Sequence, residues 1–270
     1  MKRVIAVLAL LAASPSAVLA ADMAVKAPPP PVPVCEWCGF YIGGNAGGVW
    51  STDSTNFGGD SVPGGTLTAI ARGQVAASLS TKPSGFIGGA QAGYNVRSGN
   101  IVWGVEGDFD VSTLKRSVSL STALPGGFFP TTTSAQERVD FIGTVRGRVG
   151  YTVTPNVLLY ATGGLAYADP ELSTFVNTTP GCPGFCGTAT TDTWRAGWTA
   201  GVGGEWKFNR AWSLKLEYLY YDLGTLTQSY GDSAGRFPTS FVTASERFTG
   251  NIVRVGFNYA LDVPPVVAKY

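Results

Sequence analysis

The chain has 270 residues, of which only 14% are Asp, Glu, Lys or Arg, against roughly 25% in soluble globular domains. Its formal charge is +1 and it has no histidine. The basic surplus of a nucleic-acid binder is therefore missing, as are His-based triads, His metal sites and His pH switches. Glycine, at 36 residues, stands close to twice its roughly 7% average usage.

The first segment has its own logic. Met1-Lys2-Arg3 is positive, Val4 to Ala13 is an unbroken apolar run, and Val18-Leu19-Ala20 precedes a cleavage point at Ala20 or Ala21. This predicts a secretory signal peptide over 1–20, because the run falls short of the ~20 residues that span a bilayer. Residues 27–34 read Ala-Pro-Pro-Pro-Pro-Val-Pro-Val, a stiff extended spacer, and 21–38 as a whole reads as a Pro-rich periplasmic linker. Export implies an oxidising compartment. The close pairs Cys35/Cys38 and Cys182/Cys186 then read as two local disulfides. A thioredoxin-like C-x-x-C would need a βαβ context, and none surrounds Cys35.

From Phe40 onward the chain alternates apolar with small or polar residues, the period of a β-strand. The segments are 40–50, 85–96, 101–112, 139–152, 157–168, 194–208, 212–220 and 249–261. The sharpest runs from Trp212 to Tyr220. Trp212, Leu214, Leu216, Tyr218 and Tyr220 share one face, and Ser213, Lys215 and Glu217 share the other. Short turns (97–100, 153–156, 209–211) alternate with long Ser-, Thr-, Gly- and Pro-rich stretches (51–84, 113–138, 169–193, 225–248). This pattern predicts an all-β fold, a closed eight-stranded antiparallel up-and-down transmembrane β-barrel over 39–262. Turns and both chain ends would be periplasmic, the long loops external, and 263–270 a C-terminal tail. Closure is required because unpaired backbone in hydrocarbon costs several kcal/mol per group.

The phase of each segment assigns its charges. Glu106, Asp108, Asp110, Asp140, Glu205 and Glu217 fall opposite the apolar face, and so do Arg146, Arg148, Arg195, Lys207, Lys215 and Arg254. Six acids and six bases on the inward side predict an ion-paired lumen, since a barrel of about eight strands is just wide enough for its side chains to fill. By the same phase Gly43, Gly47, Gly89, Gly93, Gly150, Gly201, Gly203 and Gly256 point inward and leave room for them. Aromatics toward the strand ends, including Trp50, Trp103, Phe109, Tyr151, Trp194, Trp212 and Tyr259, suit interfacial girdles.

Glu36-Trp37-Cys38-Gly39-Phe40-Tyr41-Ile42-Gly43-Gly44-Asn45-Ala46-Gly47 resembles the opening strand of the porin-family outer-membrane immunogenic proteins, which are small eight-stranded barrels of OmpA and opacity-protein type. Those usually carry W-T-G-F-Y-I-G-x-x-x-G, so Cys38 stands where Thr is usual. Gly88–Asn95, Gly104–Asp108, Leu214–Gly224 and Asn251–Tyr259 extend the resemblance over most of 37–262. It implies a Gram-negative outer-membrane location and insertion by the barrel-assembly machinery. That machinery reads a closing strand which Arg254–Leu261 fits, although nine residues follow, ending in Tyr270; either Leu261 or Tyr270 closes the signal.

No cofactor, metal or catalytic set is expected. There is no histidine to activate a serine, and no Gly-x-Ser-x-Gly elbow. The non-enzymatic readings are a structural, envelope-integrity or surface-interaction barrel with a filled lumen, a porin passing small solutes, and a soluble periplasmic barrel of lipocalin type. Outer-membrane lipid is the expected surrounding, nucleic acid is not a partner, and a surface ligand would meet the four long loops.

Overall fold

The computed structural model describes residues 35–123 and 129–261. The expected signal peptide, most of the Pro-rich linker and the C-terminal tail lie outside these residues. Eleven strands and one short helix follow in chain order: β1 (Gly39–Trp50), β2 (Ser54–Gly59), α1 (Thr66–Ala71), β3 (Ser78–Ser80), β4 (Ser84–Ser98), β5 (Ile101–Thr122), β6 (Thr131–Thr154), β7 (Val157–Thr178), β8 (Cys186–Asp192), β9 (Arg195–Lys207), β10 (Trp212–Gly231) and β11 (Phe241–Ala260).

Eight of these form a closed antiparallel ring in the order β1-β4-β5-β6-β7-β9-β10-β11, sealed by β1 against β11 with Gly47 opposite Arg254. Every neighbour in the ring is also a neighbour in sequence once β2, β3 and β8 are set aside, so short turns suffice at one end. The remaining three strands sit at the loop end. β2 pairs with β11 and β3, and β8 pairs with β7.

Three of the four stretches expected as long loops, 113–138, 169–193 and 225–248, are largely strand, while 51–84 holds only the short β2 and β3 with α1. β5, β6, β7, β10 and β11 run on for 20 residues or more. The alternation continues there with its polarity reversed, which is why it does not read as a continuation. Near the turns, the outward side chains are apolar and exposed, as with Val145, Leu165, Val202, Leu216, Val255 and Phe257. In the extension, the outward positions carry hydroxyls that pair across strands: Ser121 with Thr132 at 2.8 Å, Ser173 with Thr190 at 2.8 Å, and Thr227 with Ser245 at 2.9 Å. Many inward positions there are apolar and buried, among them Phe57, Leu79, Ala135, Val176, Val242 and Ala244, interspersed with buried Thr133, Glu137, Thr174 and Glu246.

Register slips mark the change, one of them on the β5–β6 ladder between Val111 and Leu114; two of them shift a strand's phase. On β10 the register slips between Asp222 and Thr225, with Gly224 at φ +77°, a left-handed conformation that suits glycine. On β6 the slip lies between Val139 and Ile142. Both of these residues are buried, so the strand changes phase at Asp140-Phe141. The Asp169 carboxylate accepts the freed backbone N–H groups of Asp140 (3.2 Å) and Phe141 (2.7 Å).

Candidate functional site

The inward face of the ring's lower half holds a continuous charged network. Arg146 Nη2 lies 2.6 Å from Glu106 Oε1 and 2.9 Å from Asp108 Oδ2, and its Nη1 is 3.0 Å from Glu217 Oε1. Arg254 reaches Asp110 and Asp108 at 2.7 Å each and Glu217 Oε2 at 2.8 Å. Lys215 Nζ is 2.8 Å from Glu106 Oε1. Arg148 Nη1 is 3.1 Å from Glu205 Oε2. Its guanidinium lies between the rings of Tyr41 and Tyr160, 5.1 and 5.0 Å from their centroids. The four basic side chains are 0–2% exposed.

Neutral groups complete the set. The Tyr41 hydroxyl donates to Glu106 Oε2 at 2.7 Å and the Tyr160 hydroxyl to Glu217 Oε1 at 2.9 Å. Asn258 Nδ2 donates to Glu205 Oε1 at 2.9 Å, and Arg148 Nε donates to Asn95 Oδ1 at 2.9 Å. Such pairing is what a buried charge requires, since loss of one partner from a buried pair costs ~3–5 kcal/mol. Two glycines make the space. Tyr41 faces Gly93 and Tyr160 faces Gly203 in direct register, and a Cβ on either glycine would strike the opposing ring.

Nine of the twelve charges read from the sequence thus meet in one cluster: Glu106, Asp108, Asp110, Glu205, Glu217, Arg146, Arg148, Lys215 and Arg254. Asp140 does not belong to it. The β6 bulge turns it off the lumen face, where it pairs with the exposed Arg138 at 2.6 Å. Arg195 and Lys207 keep inward positions but form no ion pair among the described residues. Arg195 sits where β9 leaves the ring at the loop end. Lys207, at the turn end, lies 4.7 Å from the Trp37 ring centroid.

Tyr41, Tyr160, Asn95 and Asn258 were legible only as inward positions, because an uncharged polar side chain carries no sign to match. Trp37 was legible only as part of the opening-strand motif, with no sign that it enters the barrel. It falls within the stretch expected to be linker, yet it is 2% exposed and packs with Val102, Leu158 and Tyr160 beneath the network. Its indole N–H donates to the Pro155 carbonyl at 2.9 Å. A Cys35–Cys38 disulfide brackets it, and Cys182 and Cys186 are bonded at the opposite end. Above the network Leu114, Ile142, Leu219, Phe248 and Ile252 form an apolar layer.

A closed ring with a charged interior and a greasy outer belt edged by aromatics defines a transmembrane β-barrel of the bacterial outer-membrane kind. Trp103, Tyr151, Trp206 and Trp212 lie toward its turn end and Trp50, Phe86, Phe109 and Trp198 toward its loop end, all exposed. The chain belongs to the outer membrane protein beta-barrel domain family, whose model matches residues 4–260.

Among curated relatives, it is 36% identical over 249 residues to the 31 kDa outer-membrane immunogenic protein of Brucella melitensis, covering 89% of this chain and 92% of that one. It is 28% identical over 264 residues to the 25 kDa outer-membrane immunogenic protein of Brucella abortus, covering 96% and 98%. Among solved structures, the outer membrane protein OprG from Pseudomonas aeruginosa shares the fold, with a TM-score of 0.52 at 15% identity over 84% of this chain and 98% of that one. The protein is thus placed in the Gram-negative outer membrane, with its short turns periplasmic and its long extensions external. The soluble, lipocalin-type reading is overturned by this family and by the apolar outer belt.

Proposed function

We propose that this protein is a closed outer-membrane barrel with a non-catalytic role in envelope structure and surface interaction, and that it is not a solute pore. The observation that carries the reading is the interlocked cluster of four basic and five acidic side chains across the lumen. Trp37 lies beneath it and an apolar layer above. An ion crossing this barrel would have to break several buried pairs and pass two dry layers, which Coulomb attraction at low dielectric opposes strongly. The external extension, with its hydroxyl-rich outer face, supports a surface role.

Planar-bilayer recording on the refolded mature chain tests the proposal. A silent barrel, or one with only rare brief openings, is expected. A steady, long-lived open state of large conductance would overturn the closed reading in favour of a porin.

A further inference from the structure

The extension holds a cavity that its own side chains leave unfilled. It has a volume of about 300 Å³ and lies between α1, the loop-end tips of β6 and β7, the β7–β8 turn and the β10–β11 turn. That size is at the lower end of the roughly 300–1,000 Å³ typical of small-molecule sites. Phe129, Phe185 and Phe237 form its aromatic wall, and Val75 and Val176 line its floor. Phe129 and Phe237 are 50% and 42% exposed at the rim. No Asp, Glu, Lys or Arg is among the described lining residues.

Polar side chains also line this space. The hydroxyls of Thr66, Thr131 and Thr178 are engaged by backbone groups of Phe241, Phe129 and Gly184, whereas the side chains of Gln74 and Ser240 form no hydrogen bond among the described residues. An apolar enclosure with a few converging polar groups and no charge selects by shape, by aromatic contact and by exclusion of ions. A charged ligand would lose its hydration with no counter-charge to replace it. Two much larger depressions differ in kind. They lie on the outer belt around Val202 and Leu216 and around Ala92 and Phe257, where lipid covers them.

We propose that this external cavity is a binding site for a small, uncharged, largely aromatic molecule carrying one hydrogen-bonding group. The aromatic portion lies against Phe129, Phe185 and Phe237, and the polar group meets Gln74 or Ser240. The site is separated from the lumen by the buried layer of Leu114, Ile142, Leu219 and Phe248, so binding does not depend on whether the barrel conducts.

Equilibrium dialysis of the folded protein in nanodiscs, against empty nanodiscs, tests this with 2-naphthol as the neutral probe and 2-naphthoate as its charged counterpart. Saturable one-to-one uptake of 2-naphthol is expected, with 2-naphthoate at least roughly tenfold weaker. Ala69→Trp, which fills the cavity from α1, should abolish the saturable component. Phe237→Ala should weaken it roughly fivefold, by loss of aromatic burial. Heat-modifiable gel mobility identifies variants that still form the barrel. Uptake equal to that of empty nanodiscs, equal affinity for the anion, or unchanged binding by a folded Ala69→Trp variant would each overturn the proposal.

Discussion

Single residues at the external end already carry a pH dependence. Glu137 and Glu246 are 1% and 0% exposed and lie above the lipid belt. Thr81 Oγ1 is 3.1 Å from Glu137 Oε2, 3.0 Å from Glu246 Oε1 and 3.3 Å from the Asp53 carbonyl. A hydroxyl has one hydrogen, so a second must come from one of the carboxyl groups. Thr55 donates to Glu246 Oε2 at 2.7 Å, Asp53 also faces the pair, and Tyr221 lies near Glu137. Burial, then repulsion from Glu246 and Asp53, pushes Glu137 up to about 9, and burial raises Glu246 as well. The folded state therefore holds a proton that the unfolded chain releases above its ordinary carboxylate range. Stability of the external end should be full below pH ~4.5 and fall as pH rises toward about 9, by at most about 1.4 kcal/mol per pH unit for each proton. Glu246→Gln should flatten that fall, read as amide exchange of β2 measured from pH 5 to 9. An unchanged slope in the variant would refute the shared proton.

Among the elements, β6 shows how much a bulge decides. Alternation read straight through 139–152 puts Val139 on the lipid side and Asp140 in the lumen. The structure reverses both, because one residue out of phase flips every side chain beyond it. Sequence offered one cue, the Asp169-Pro170 step opposite the slip, where proline cannot donate to the ladder. Reading it required knowing that β7 pairs there. Asp169→Ala leaves two backbone N–H groups without their acceptor and should destabilise the β6–β7 extension by ~1–3 kcal/mol. Faster amide exchange from Thr131 to Val139, with the segment below Ile142 unaffected, is the signature to measure. Uniform exchange along β6 would mean the bulge does not depend on that carboxylate.

Across the whole molecule, the barrel is two opposite solutions stacked end to end. Its lower half is apolar outside and charged within, and its upper half is hydroxyl-rich outside and largely apolar within, apart from the buried Glu137–Thr81–Glu246 set. The reversal occurs where the surroundings change from lipid to water, so each half hides what its medium rejects. The lumen network ties together strands far apart in the chain, with Arg254 on β11 meeting Asp108 and Asp110 on β5 and Glu217 on β10. Arg254→Met should therefore cost ~3–5 kcal/mol of global stability, seen as a lower urea midpoint for loss of heat-modifiable mobility. A midpoint within error of the parent would show that the cluster is not a buried network.

The eight ring strands, their order, the inward phase of eleven of the twelve charges and the alternation of short with long connections were all legible in the chain. Each follows from a two-residue period and from the need to close a sheet in hydrocarbon. The bulges, the tuck of Trp37 beneath the lumen, the folding of the long stretches into strand and the external cavity were decided only by the tertiary structure. They depend on which strands lie opposite one another and on where the surrounding medium changes. Local alternation, identical on either side of that boundary apart from its polarity, carries neither piece of information.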